Sequence, residues 1–243
     1  MANAFVEKLK GFAELHPADI AALAKATDAP RPYAARRDLI REGDPPGPVF
    51  VVLEGWAFRY KILPSGARQI LAFLMPGDSC DLHNNMLAQM DHSIQAVTAA
   101  SVALISRTSM DAMMDGHANI ARAMYISQLV DEGIMRSWIV SMGRRSSIER
   151  VAHLMCELYL RAATSPDVEE GFVSLPLSQV VLADALGMTP VHINRVLKEL
   201  RASGAMDINR RSLVIRDPIR LVQVASFDDN YLHRRRQQRA KFH

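Results

Sequence analysis

The apolar positions along the chain change their period three times. Phe5, Leu9 and Phe12 fall on one helical stripe, and HPADIAALAKA extends the helical texture, with Pro17 suited to a first helical turn, until Pro30 and Pro32 end the segment. From Leu39 to Asp78 the texture becomes short β-rich runs, VFVVL, WAFRYKIL and QILAFLM, separated by turns. The glycines of those turns, Gly43, Gly55, Gly66 and Gly77, recur at spacings of 12, 11 and 11. Strands of this length with turns at such even intervals predict an antiparallel meander closed into a barrel or jelly roll, to which SIQAVTAA and SVALISR add a second set.

After Asp115-Gly116 the pattern is helical for about 25 residues, up to Gly143, a rod of roughly 35 to 40 Å. Ala123, Ser127, Val130, Ile134, Ser137 and Ser141 alternate steps of four and three, the spacing of a helix-pairing seam in which small residues allow close approach. The alternative is that this stripe packs only on its own barrel, since half of it is serine. Gly143-Arg144-Arg145 marks a boundary. Beyond it, Ser146 and Glu149 form a capping box opening a helix whose Val151, Leu154, Met155 and Leu158 define a buried face, with Cys156 beside it as a core thiol.

LGMTPVHINRVLKELRASG, Leu186 to Gly204, completes a helix, tight turn, helix pattern begun at Ser178. Ser178 suits the cap of the first helix, which Gln179 opens; Gly187 supplies the turn, Thr189 caps the second helix and Pro190 occupies its first position. The second helix buries Ile193, Val196, Leu197 and Leu200. Its other side presents Val191, Arg195 and Lys198, flanked by His192, Asn194 and Glu199. Any amphipathic helix has a polar face, but these residue types suit base edges: Arg grips guanine bidentately, Asn adenine, and an exposed Val meets a thymine methyl. Downstream, AMDINRRSLVIRD reads as two short strands around a turn carrying Arg210 and Arg211, a basic wing suited to phosphates.

Charge sharpens this division. Net charge is +3, and residues 1–145 carry 15 Lys/Arg against 15 Asp/Glu while residues 146–243 carry 14 against 11. The positive excess lies wholly in the carboxyl-terminal part, which fits a nucleic-acid face there, although a net +3 alone also fits a solvated surface. The tail HRRRQQRAKFH is basic as well, although a terminal run of charge is commonly a solvated one. Two distant cysteines, Cys80 and Cys156, make neither a disulfide framework nor a four-thiolate cluster site. The amino terminus lacks the order of a secretory signal and no apolar run is long enough to span a bilayer, so the expected compartment is the cytoplasm, without membrane contact.

Barrel, long helix and winged helix-turn-helix, in this order, resemble the Crp/Fnr family of bacterial transcription regulators. The likeness rests on EGD at Glu42 to Asp44, LEGW at Leu53 to Trp56, PGD at Pro76 to Asp78 and LADALGMTPVHINRVLKEL. It implies an α+β fold: a β-roll or jelly-roll sensor domain over 1–116, a dimerisation helix over 117–143 and a winged helix-turn-helix over 144–243. It also implies a homodimer on double-stranded DNA, each subunit placing its second helix in a major groove, with RNA polymerase as a further partner. The family's common recognition arginine falls on Arg195. The acidic reader four residues earlier is Val191 here, so the family's better-known target sequences do not transfer.

Cyclic-nucleotide-binding members of the family carry Gly-Glu after PGD and then Arg-Ser or Arg-Thr. Here those positions fall on Asp81-Leu82 and His92-Ser93, and the polar pair of the long helix on Met135-Arg136. An aspartate in place of an anion-binding group opposes phosphate, so cyclic AMP is not expected as effector and no cofactor or metal is expected. Cys80, Asp81, His83 and His92 leave a metal- or haem-binding loop as an alternative, without the spacing of known zinc sites. A metal-dependent cupin enzyme is a further alternative, but residues 49–75 contain no histidine and no convergent catalytic set is present, so the chain is not expected to be an enzyme.

Overall fold

The computed structural model describes residues 3–80, 82, 86–162, 172–209 and 212–233. Arg210 and Arg211 of the wing, Asp81 and His83 of the loop, and the basic tail from Arg234 onward lie outside the described residues. The chain divides into two compact units, Met1–Leu129 and Val130–His243.

The first unit opens with α1 (Ala4–Lys10) and α2 (Pro17–Ala26), followed by β1 (Arg31–Tyr33), β2 (Asp38–Ile40), β3 (Val49–Glu54), β4 (Ala57–Ile62), β5 (Arg68–Leu74), β6 (Ser79–Cys80), β7 (Ser93–Ala96) and β8 (Ala100–Ile105). These strands form two four-stranded sheets, β1-β8-β3-β6 and β2-β7-β4-β5, antiparallel throughout. One apolar cluster, including Phe50, Val52 and Val102 from the first sheet and Ile40, Leu74 and Ile94 from the second, fills the space between them. A second cluster joins Val49, Val51, Ala103 and Ile105 to Phe5 and Leu9 of α1 and to α3 (Arg107–Gly116). Strand β3 is therefore buried on both faces, which is why VFVVL reads as a continuous apolar run rather than an alternation.

The four turn glycines all have left-handed φ, between 78° and 93°. At Gly55 a Cβ would lie 2.2 Å from the Ala99 carbonyl oxygen, and at Gly77 it would lie 2.7 Å from that of Ala4. Only glycine combines this backbone with such close approach. The neighbouring acids tie the same turns. Asp78, buried, accepts the Met75 N–H at 2.7 Å and pairs with Lys8, and Asp44 accepts the Arg41 N–H at 2.8 Å. EGD and PGD are thus turn-building motifs in this chain.

Three elements of this unit escape the hydrophobic pattern. Strand β1 contains Pro32, tolerated because β1 is an edge strand. Strand β6 is two residues long. Helix α3 opens on Ser106, whose hydroxyl accepts the Ser109 N–H; that Ser cap was its legible signal. Helix α4 (Ala118–Arg144) has 27 residues, about 40 Å, and continues through Gly143, where the sequence predicts a boundary. The division between compact units falls earlier, at Leu129/Val130, because the last turns of α4 pack on the elements that follow it.

The second unit contains that last part of α4, then α5 (Ser147–Ala162), β9 (Phe172–Ser174), α6 (Gln179–Leu186), α7 (Pro190–Ala202), β10 (Met206–Asn209), β11 (Ser212–Ile215) and α8 (Pro218–Ala225). Strands β10, β11 and β9 form an antiparallel sheet. Helix α5 is its centre, buried from Val151 to Leu160. Ser146 opens it as the predicted capping box: its N–H donates to Glu149 at 2.7 Å, and its hydroxyl accepts the Glu149 N–H at 3.4 Å. Cys156 is fully buried, and burial pushes its thiol up to about 12. Strand β9 and helix α8 are not in the sequence reading, although Asp217-Pro218, cap and first helical residue, marks the start of α8.

Candidate nucleic-acid interface

The sequence folds into a helix-turn-helix through three local devices. Ser178 Oγ accepts the Val181 N–H at 3.2 Å, capping α6. Gly187, at φ 63° and ψ 40°, ends α6 in the left-handed conformation. Thr189 Oγ1 then accepts the His192 N–H at 3.2 Å, starting α7 with Pro190 in its first turn. Ile193, Val196 and Leu200 are buried under α7, Leu197 half-buried, and the helix is fixed to β10 by Arg201, which donates to Asp207 at 2.6 Å.

The outer face of α7 carries the predicted set. Val191 is 81% exposed, Arg195, Lys198 and Glu199 are exposed, and His192 and Asn194 are half-buried. Asn194 Nδ2 donates to Gln179 Oε1 at 3.3 Å, which joins the two helices and orients both amides. Arg195 is exposed, its Nη2 3.5 Å from His192 Nε2 one turn earlier on the same helix. A projecting cation, an oriented amide and an apolar Val on one helix face form a surface of the kind that reads base edges. Ser178 and Thr189 use their oxygens as cap acceptors, which leaves each hydroxyl proton available to a phosphate. In the wing, β10 and β11 pair from Met206 opposite Ile215 down to Asn209 opposite Ser212.

The predicted pairing seam turns inward. Ala123, Ser127, Val130, Ile134 and Ser141 are buried, and Ser137 is half-buried with its Oγ 3.5 Å from His153 Nε2. These residues belong to the chain's own core: Ala123 joins the cluster around α1 and α3, and in the second unit the buried Gly133 lets the Tyr231 carbonyl come within 2.9 Å of where its Cβ would be. Small residues at that spacing serve intramolecular packing. The opposite face of α4 is apolar and open, with Tyr125 at 52%, Leu129 at 54% and Ile139 at 71% exposure, spaced with Glu132 and Arg136, whose ion pair spans 3.4 Å, in steps of four and three.

The described effector-loop residues of the roll each have a partner within it. In the first unit Cys80 is buried, its Sγ 3.6 Å from the Phe50 carbonyl oxygen; the Leu82 carbonyl accepts from Arg107; Ser93 is buried and its Oγ accepts the Glu42 N–H at 2.9 Å; and His92 Nδ1 lies 2.6 Å from Asp91. Met135 and Arg136 are exposed on α4 in the second unit. The motif carry-over finds no cation for the roll, but Arg59 pairs with Ile94 in the register of β4 and β7 and so shares the inward face of that sheet.

Sequence reasoning also passed over the charged centre of the second unit. Glu157 is fully buried on α5; Trp138 Nε1 donates to it at 3.1 Å, Tyr231 Oη at 3.0 Å, and Arg161 pairs with it at 3.3 Å. Burial raises its carboxyl pKa and the Arg161 charge opposes the shift. One turn earlier, His153 is buried, stacked on Tyr231 with centroids 5.9 Å apart, and burial, reinforced by the charge of Arg145, holds its pKa down to about 4. The signal was a Glu at an apolar helix position. Arg150 was equally unread: it donates to the Leu186 carbonyl at 2.9 Å and to the Arg145 carbonyl at 3.2 Å, binding the start of α5 to the turn of the helix-turn-helix.

Residues 30–117 match the family model of the cyclic nucleotide-binding domain, and residues 149–224 that of the Crp-like helix-turn-helix domain. The nitrogen fixation regulation protein FixK of Bradyrhizobium diazoefficiens is 27% identical over 80% of this chain and 81% of its own. The transcriptional activator protein FnrL of Cereibacter sphaeroides is 24% identical, with 82% of each chain covered. The solved structure of FixK2 from Bradyrhizobium japonicum superposes with a TM-score of 0.73 at 26% identity, covering 82% of this chain and 98% of that one.

Proposed function

The chain belongs to the Crp/Fnr family of DNA-binding transcription regulators and is not an enzyme; on that premise we propose that it acts as a homodimer on a pseudo-palindromic operator, with Arg195 as the principal base reader and without dependence on cyclic AMP. The observation that carries the reading is the face of α7, where exposed Arg195 and Val191 flank an Asn194 held by Gln179. Lys198, Ser178, Thr189, His192, Arg210 and Arg211 supply phosphate contacts or support them. No helix among the described residues is long and apolar enough to cross a membrane, in keeping with a cytoplasmic regulator that would also meet RNA polymerase.

The pairing surface we propose is the open stripe Tyr125, Leu129 and Ile139, not the buried seam. Two copies joined there would present two reading helices to half-sites about one helical turn, roughly 34 Å, apart. Cyclic-AMP independence is supported by the β-roll chemistry: Ser93 already accepts the Glu42 N–H, His92 faces Asp91, and apart from Arg59 the residues clustered between the sheets are apolar. An effector shifts a two-state protein only by its differential affinity for the two states, and these groups offer a cyclic phosphate little.

Selection of bound DNA from a random pool, followed by footprinting and sedimentation, tests the reading. The expected result is a two-half-site footprint made by a dimer, with Arg195→Ala costing about 1–3 kcal/mol per half-site and relaxing one base pair. Sequence preference unchanged in Arg195→Ala, or a monomer protecting both half-sites, refutes it. A tenfold gain in DNA affinity at micromolar cyclic AMP refutes the cyclic-nucleotide part alone.

A further inference from the structure

Beside the buried Glu157 and His153, the second unit has an open groove of about 440 Å³ lined by Arg136, Val140, Arg145, His153, Tyr231 and His233, with Asp228 as its acidic member. Its size is that of a small-molecule site. Arg145 is the unusual residue. Its Nη1 is buried and has no hydrogen-bond partner among the described residues, and a buried cationic N–H without an acceptor is costly to leave so. Asp228 caps the Asn230 N–H at 2.9 Å and makes no hydrogen bond to Arg145 Nη1. His153 is no acceptor in reserve either, because it is stacked against Tyr231 and Phe227 with its Nε2 facing Ser137. Arg136 also lines the groove, exposed and held at 3.4 Å by Glu132 one turn earlier, while Val140 and the Tyr231 ring give the groove an apolar wall.

We propose that this groove binds a small organic anion, a carboxylate or phosphate monoester, whose charged oxygens meet Arg145 and Arg136 and whose apolar part lies on Val140 and Tyr231. The groove also has a physical link to the helix-turn-helix. The Arg145 carbonyl accepts from Arg150, and the same guanidinium donates to the Leu186 carbonyl at the end of α6. Occupancy is therefore felt at the turn that sets α7; this second half rests on the DNA-binding reading above.

Isothermal titration of the full chain with benzoate, phenyl phosphate and inorganic phosphate tests the site directly. The expected result is one saturable site per chain for benzoate or phenyl phosphate, with a dissociation constant below about 1 mM. Inorganic phosphate, which has no apolar part, should bind at least about tenfold more weakly. Arg145→Gln and, separately, the groove-filling Val140→Phe at an exposed position should each weaken binding by about tenfold or more. No saturable heat from any probe, or equal affinity in both variants, overturns the proposal. Inorganic phosphate binding as tightly as phenyl phosphate overturns the assignment of an organic ligand. Operator affinity measured with saturating phenyl phosphate or benzoate should change severalfold in the wild type and not in Arg150→Met; no change in the wild type overturns the coupling. A chain that binds no DNA at all refutes the function proposed for α7, while calorimetry still decides the groove.

Discussion

The two units solve the problem of a unique core in opposite ways. Between the sheets of the first unit the packing is apolar, and the geometry is fixed from outside by turns: glycines with left-handed φ at Gly43, Gly55, Gly66 and Gly77, and carboxylates such as Asp78 and Asp44 holding backbone N–H groups. The second unit places ionisable side chains at its centre. Glu157 gathers Trp138 from α4, Tyr231 from the segment after α8 and Arg161 from its own helix. An apolar interior tolerates volume-conserving exchange but needs its corners; a charged one specifies partners and fails when one is removed. The unit whose helices must present a reading face in a fixed orientation is the one built on directional bonds.

The largest expected effect tests that contrast in the second unit. Glu157→Leu should destabilise it by about 3–5 kcal/mol, because Trp138 and Tyr231 lose a buried acceptor and Arg161 its carboxylate. The chain has two tryptophans, Trp56 in the first unit and Trp138 in the second. In a Trp56→Phe background, urea unfolding followed by fluorescence therefore reports the second unit. An effect under about 1 kcal/mol would mean that the acid does not organise this core.

The next effect is pH dependence with a stated sign. The folded-state pKa of His153 is about 4 against an ordinary 6.5, so between those values the unfolded chain binds more protons and stability falls as pH drops. The contribution is fully present above pH 6.5 and amounts to roughly 3 kcal/mol at most. Glu157 works in the other direction: its raised pKa makes stability fall as pH rises from the ordinary carboxyl value toward the raised one. His153→Gln should accordingly remove the loss between pH 6.5 and about 4, and a wild-type profile that the substitution leaves unchanged would break the assignment.

The smallest of the three concerns the first unit. Gly55→Ala should cost about 1–3 kcal/mol, from φ 78° and the overlap with the Ala99 carbonyl. Amide exchange is expected to rise around Gly55 and Thr98 while amides of α5 stay protected. Loss of protection in α5 as well would show that the corner at Gly55 stabilises more than its own unit.

Much of the fold was legible because it follows from local rules. Even glycine spacing marked the strands, Ser178, Thr189 and Pro190 marked the helix starts, and the reading face of α7 followed from a period of 3.6. Elements too short or too buried to show a period, β1, β6 and β9, were not legible, and α3 and α8 had only a cap to announce them. Ser178, Gly187, Thr189 and Pro190 take the cap, turn and first-turn positions expected of them. In the effector-loop set, Ser93 and Leu82 serve the roll itself.

What the sequence determined by itself is the class of protein and the local build of the helix-turn-helix, with the residues that share the exposed face of α7, because helix periodicity, caps and residue chemistry act over a few neighbours. What only the tertiary structure decided is which side of α4 is open. Two stripes with the same step of three and four run along that helix, and nothing local distinguishes them. The Ala123 end of the serine and alanine stripe is buried in the cluster with α1 and α3, and its Ser137 end meets His153 of α5 where Gly133 admits the Tyr231 carbonyl, while Tyr125, Leu129 and Ile139 are left exposed. The same holds for Glu157 and Arg145, whose roles are set by groups far along the chain, through burial that no window of sequence contains.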